Sequence, residues 1–272
     1  MKRPPYRFPK EFWWGAMLAG AILLVGILAP WLAPYSPWAT TGQPFELPSR
    51  AHLLGTNDAG QDILSELLYG ARTSCLISLS VAFLSMILAL GVGVAAGTSS
   101  AADMVLMRVI DAFLAIPALL LFLLVSVHVP LDVPLLILLL SLMFWTHPAR
   151  MIRSQILSTH TRAYITAARG FGATRGYLTY RPYIPELAPI LLAGFLTRLR
   201  MAVFIEAGLA FLGVSDPTVK SWGTMLHFAS QYLYLECWAN WILPVAASIF
   251  LVVLGYTLMG QTLQNRLIRK KA

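Results

Sequence analysis

Apolar positions in this chain come in long runs rather than in alternation. Six stretches, residues 13–33, 74–97, 104–126, 131–147, 189–212 and 239–260, are mostly apolar, each over the roughly 17 to 25 positions that carry a helix across a hydrocarbon layer. They predict an all-α polytopic membrane protein of about six transmembrane helices in one domain. The third run contains Arg108 and Asp111 and the fourth is short, so their ends are less sharply marked. Trp13, Trp14 and Trp31 flank the first run. That run is longer than the apolar core of a cleaved leader, and the tryptophans suit the two interfaces of a retained helix.

Composition agrees with the pattern: 58% of the 272 residues are hydrophobic and 12% charged, against roughly 25% charged in soluble domains. The net charge of +8 reads as a topology signal. With the N-terminus inside, Lys2, Arg3, Arg7, Lys10, Arg108, Arg150, Arg153, Arg162, Arg169, Arg175, Arg181, Arg266, Arg269, Lys270 and Lys271 all fall on the cytoplasmic side, whereas Arg50, Arg72 and Lys220 fall outside. Positive residues collect inside, so both termini are expected in the cytoplasm and nucleic-acid binding is set aside. The expected layout is a cytoplasmic N-terminus at 1–12, an outer loop at 34–72, a cytoplasmic loop at 148–188, an outer loop at 213–238 and a cytoplasmic tail at 261–272.

Residues 34–53, rich in Pro, Ser and Thr, read as extended loop. From 54 to 74, Ile63, Leu64, Leu67, Leu68 and Ala71 recur at helical spacing opposite Gln61, Asp62, Ser65, Glu66 and Arg72. This predicts a helix lying in the outer interface, packed on the rest of the protein or touching an incoming partner. In the outer loop, Asp216, Pro217, Trp222 and Gly223 are candidates to shape the mouth of a path. Pro117 is expected to kink the third span.

The polar segment 162–185 interrupts the apolar pattern. Tyr164, Ile165, Ala167, Ala168 and Phe171 form a compact face, Gly172 is a stop signal, and Tyr177, Leu178 and Tyr180 form a second face before Pro182 and Pro185. The spacing predicts helix, turn, helix. Small alanines, aromatic anchors and arginines suit a docking surface for a partner.

Several chemistries lack their residues. No G-x-x-x-x-G-K-[ST] occurs to cradle a nucleotide, no H-x-x-x-H or C-x-x-C spacing marks a metal, and no nucleophile stands with a credible base. The two cysteines, Cys75 and Cys237, define no disulfide framework.

A resemblance runs along nearly the whole chain. LGTNDAGQDILSELLYGARTS (54–74), MRVIDAFLAIP (107–117), WTHPARMIRSQIL (145–157), EAGLAFLG (206–213), SWGTML (221–226) and LVVLGYTLMGQTLQNRL (251–267) resemble, in order, the permease subunits of the peptide and nickel branch of bacterial ABC importers, the dipeptide and oligopeptide C-type permeases. That family's cytoplasmic signature is E-A-A, three residues, Gly, then Pro thirteen positions on. This chain has Thr166, Ala167, Ala168, then Gly172 and Pro185. Thr166 departs from the family's Glu and removes a charged contact.

The resemblance implies a type I importer permease in the bacterial cytoplasmic (inner) membrane. It implies pairing with a second homologous permease, two ATP-binding subunits and an extracytoplasmic substrate-binding protein. No cofactor is expected in this chain, and ATP and magnesium would sit on the partner subunits. Tyr164, Thr166, Ala167, Ala168, Gly172, Arg175 and Tyr177 would then couple the chain to its ATPases, within coupling helices spanning 164–180. Substrates would be peptides, nickel or metal chelates. The competing reading is a self-sufficient secondary transporter or channel, for which no inverted repeat is visible.

Arg198, Arg200 and Glu206 are candidates for the translocation path. An arginine near the bilayer midplane costs roughly 2.5 to 3.5 kcal/mol on insertion scales, so these residues need compensation. Either an arginine attracts substrate carboxylates, or it pairs with Glu206, Asp111 or a partner's acid.

Overall fold

The longest helix among the described residues is started by a local cap at Asp62. In the computed structural model, which describes residues 9–271 apart from 130, 179, 180, 182 and 237, its side chain accepts from the Ser65 N–H at 2.8 Å and the Ser65 hydroxyl at 2.7 Å. This N-cap starts a 36-residue helix, α2 (Ile63–Thr98), which no residue breaks. The separate interfacial helix expected at 54–74 is therefore the first turns of a span. Much of its supposed polar face is buried, Asp62, Ser65 and Glu66 being inside while Gln61 is half-buried and Arg72 exposed. Lys220 explains this, since its ammonium stands 2.5 Å from Glu66 Oε1 and 2.7 Å from Gln61 Oε1.

Around α2 pack α1 (Lys10–Leu32), α5 (Val133–Phe144), α6 (Thr146–His160) and α9 (Ile184–Phe211), while α11 (Trp238–Lys271) lies against α1 and α9. Trp13 and Trp31, 61% and 78% exposed, are separated by about 27 Å along α1, close to the thickness of a hydrocarbon core. Helices α1 and α11 cross at glycines: a Cβ on Gly15 would stand 2.7 Å from the Gly255 carbonyl, and one on Gly255 2.9 Å from the Gly15 carbonyl. Small residues permit such backbone approach where lipid removes the hydrophobic drive.

The third span differs from the expected kinked helix. Pro117 lacks an N–H and forces Ile116 into extended backbone (φ −85, ψ 121). The run therefore splits into α3 (Ser100–Ala115) and α4 (Ala118–His128), bent by 74°. The fourth span is longer than expected, because α5 and α6 continue one another as an apolar stretch from Val133 to His160. Among the described residues, five helices are long and apolar enough to cross a membrane, or six if the bent pair counts as one.

Charges in and beside the spans are sorted by the fold. Asp111 pairs with Arg150, and Asp103 takes both the Nε and, at 2.6 Å, the Nη2 of Arg153. Two ion pairs thus clamp α3 to α6. At the other end of the bundle, α10 (Trp222–Ser230) starts at a capping box of Ser221 and Thr224. Trp222 and Gly223 are buried against α2 and α9 instead of lining an open mouth: a Cβ on Gly223 would meet Ala210 Cβ at 2.5 Å. Among the described residues the only extended pairings are two isolated bridges, Thr56 with Asp62 and Leu131 with Ser215.

Candidate functional site

The turn at 170–174 explains the spacing of small residues in the polar segment. Helix α7 (Ala163–Gly170) ends where the Ala173 N–H reaches back to the Ala168 carbonyl at 3.0 Å, with Gly172 at φ +82. That is a Schellman closure, which needs a residue tolerant of left-handed backbone four positions after Ala168. Thr174 then restarts the chain: its hydroxyl accepts from the Tyr177 N–H at 3.3 Å, opening the single turn α8 (Arg175–Leu178).

Only part of the expected compact face is buried. Ile165 and Leu178 are inside, in one apolar cluster with Ile152, Ile156, Tyr183 and Leu187. Thr166 and Ala167 are exposed, Tyr164 is 48% and Tyr177 53% exposed. Phe171, assigned to the packed face by its spacing, is instead 93% exposed, because the Schellman turn carries it past the end of the helix. It borders a shallow groove with Ala168, Gly172, Ala173, Thr174 and Tyr177. The Thr166 hydroxyl lies 3.5 Å from the carbonyl of Arg162, in the turn just before its helix. The side chain of Arg175 and the residues Tyr180 and Pro182 lie outside the described residues, as do Lys2, Arg3, Arg7 and Cys237.

Glu186 is a functional candidate that sequence reasoning missed. On the first turn of α9, its Oε1 accepts from Arg162 Nη1 at 2.5 Å and from the Tyr164 hydroxyl at 2.9 Å. Its Oε2 lies 2.9 Å from Thr159 Oγ1, which shares its single proton with the Gln155 carbonyl at 2.8 Å. Burial, and then the bond to this carboxylate, push the Tyr164 phenol above its ordinary value, so it stays a donor. A signal was present in the sequence: Glu186 is the first carboxylate after Asp132, in a stretch that carries Arg150, Arg153, Arg162, Arg169, Arg175 and Arg181.

The three intramembrane candidates are not gathered in one place. Arg198 stands at the middle of α9, about 21 Å from Ile184. It is 8% exposed, its guanidinium carbon lies 5.8 Å from the centre of the Phe144 ring and its Nη1 3.6 Å from Met201 Sδ. Among the described residues its Nε has no acceptor. Cation–π contact is worth up to about 2 kcal/mol when desolvated, which offsets part of the insertion cost. Arg200, two positions on, is half-buried.

Among the described residues Arg198 forms no ion pair with Glu206 or Asp111, and those acids take other partners. Asp111 serves Arg150. Glu206, 1% exposed, accepts from Ser74 Oγ at 3.1 Å, and Ser74 Oγ accepts in turn from the Trp222 N–H at 3.2 Å. Glu206 therefore fastens α9 to α2 and α10. Among the described residues, no cluster of three or more His, Cys, Asp or Glu could hold a metal ion.

A bundle of five or six apolar helices, tied together by buried polar bonds and carrying an exposed polar helix pair, defines a multi-pass membrane protein. Residues 85–270 match the family described as binding-protein-dependent transport system inner membrane component, and the chain belongs to that family. It is 33% identical to the di/tripeptide transport system permease protein DppC of Pseudomonas aeruginosa, over 95% of this chain and 91% of that protein. It is 30% identical to the oligopeptide transport system permease protein OppC of Bacillus subtilis, over 93% and 83%. A Brucella suis protein provisionally described as a peptide transport system permease is 33% identical over 94% and 86%.

Proposed function

We propose that this chain is one of two permeases of an ATP-driven peptide importer, forming half of the translocation path and coupling it to two ATP-binding subunits. The observation that carries the reading is the protruding pair α7 and α8: Phe171, Tyr177, Tyr164 and Ala167 face outward around a Schellman turn. A membrane chain with no nucleotide-binding motif of its own has a use for such a surface if its energy arrives from a partner. Thr166, Ala168, Gly172 and Arg175 belong to the same segment by sequence.

In this reading the segment lies in the cytoplasm with both termini, as the arginine distribution favours, and the 34–62 and 213–237 loops face an extracytoplasmic binding protein. Closure of the ATPases on ATP moves α7 and α8, and α9 turns the path outward; hydrolysis resets it. Peptide substrates are favoured over nickel or metal chelates because the relatives above are named for peptides. Arg198 and Arg200 contribute positive charge where a peptide carboxylate would pass.

Co-purification tests the reading. The two ATP-binding subunits stay with this chain in detergent, and Ala168→Glu together with Gly172→Arg releases them while the second permease remains. Retention of the ATPases on that double variant would refute the docking role.

A further inference from the structure

We infer that Glu186 is a positioning residue, the joint through which α7 and α8 drive α9. This rests on the reading of residues 163–178 as the docking segment, but the observation behind it is separate. Three side chains, Thr159 at the end of α6, Arg162 in the turn that leads into the segment and Tyr164 in α7, converge on the two oxygens of one carboxylate. That carboxylate sits in the first turn of α9, where the helix dipole favours negative charge.

The apolar contact beneath cannot do this work alone. Ile165, Leu178, Tyr183 and Leu187 share one buried cluster, and hydrophobic burial is non-directional, so it holds the segment down without fixing its angle. Hydrogen bonds weaken steeply when bent. On this one carboxylate the Tyr164 hydroxyl from α7 and the Arg162 guanidinium just before it, with Thr159 of α6 alongside, set the orientation of the start of α7 relative to α9. The sequence supplies no substitute: no Asp or Glu occurs between Asp132 and Glu186. The carboxylates of α3, Asp111 with Arg150 and Asp103 with Arg153, tie α6 to α3 and leave the first turn of α9 untouched.

The consequence concerns force transmission. A displacement of α7 reaches α9 at its first turn, and α9 carries Arg198 at its middle and Glu206 near its far end. Without the joint, the ATP-binding subunits still bind and still hydrolyse, but α9 no longer follows.

The test uses the full complex with both permeases and both ATP-binding subunits, and needs no substrate. Spin labels are placed at Leu53→Cys and Leu212→Cys, both well exposed at the far end of the bundle, in a background with Cys75 and Cys237 replaced by Ser. The distance between them is measured by pulsed electron resonance with and without ATP and vanadate. The expected result is a shift of several ångströms in the parent complex and its loss in Glu186→Gln, with the ATPases still bound and hydrolysing at a rate within twofold. Tyr164→Phe, which removes one donor, gives an intermediate shift. A full shift in Glu186→Gln overturns the joint and spares the docking reading. Release of the ATPases by Glu186→Gln also overturns it, because the residue then shapes the docking surface itself. Absence of a shift in the parent overturns the proposal together with the transport cycle on which it rests.

Discussion

The Ser74 hydroxyl donates to the Glu206 carboxylate at 3.1 Å, joining positions 132 residues apart. Both side chains are buried, and the same serine oxygen receives the Trp222 N–H, so two bonds meeting at one hydroxyl fasten α2, α9 and α10. Ser74→Ala removes a donor from a buried acid and an acceptor from a buried N–H. The expected destabilisation is about 1 to 3 kcal/mol, read from unfolding in mixed detergent micelles. Uptake should fall only in proportion to assembled complex.

Lys220 and Glu66 make the matching contact between the loop before α10 and the first turn of α2. Their side chains are 13% and 4% exposed, and removing one member of a buried pair costs about 3 to 5 kcal/mol. Lys220→Met should therefore destabilise the chain strongly. Adding Glu66→Gln to it should restore at least half of the loss. A single variant as stable as the parent would show that the pair is not closed in the membrane.

Gly172 stands at φ +82, and a Cβ added there would meet no neighbouring atom within 4 Å. Space is not the constraint, and the penalty for a side chain is purely conformational, about 1 kcal/mol. Gly172→Ala should weaken retention of the ATP-binding subunits several-fold, and Gly172→Asn, which tolerates left-handed backbone, should weaken it less. Equal retention by all three would remove the Schellman turn from the docking account.

Arg198 has a ring and a thioether beside it and no carboxylate within ion-pair distance among the described residues. Arg198→Gln should leave the complex assembled and reduce peptide uptake at least tenfold. Amidating the peptide C-terminus should reduce uptake by the parent more than by the variant. Lost assembly would assign the residue to a subunit contact instead.

Local patterns fixed what local forces decide. The six apolar runs, the stop at Gly172 and the break at Pro117 follow from helix length, left-handed backbone and a missing N–H, all readable within a few residues. The continuity of α2 was not readable, because Ser65 and Glu66 look solvated until Asp62 and Lys220 are brought beside them. Phe171 followed helical spacing on paper, and one left-handed residue carried its ring outward. Glu186 and Glu206 took partners 22 to 27 and 132 positions away, which no periodicity within the chain reports.

The central claim is that the segment around Phe171 meets the ATP-binding subunits, and cross-linking measures it most directly. Phe171→Cys carrying a photoreactive benzophenone, in the assembled complex with Cys75 and Cys237 replaced by Ser, should on illumination join this chain to an ATP-binding subunit. The same probe at Ile27, 65% exposed within the apolar span α1, should not. Equal cross-linking from both positions, or none from Phe171, would contradict the account.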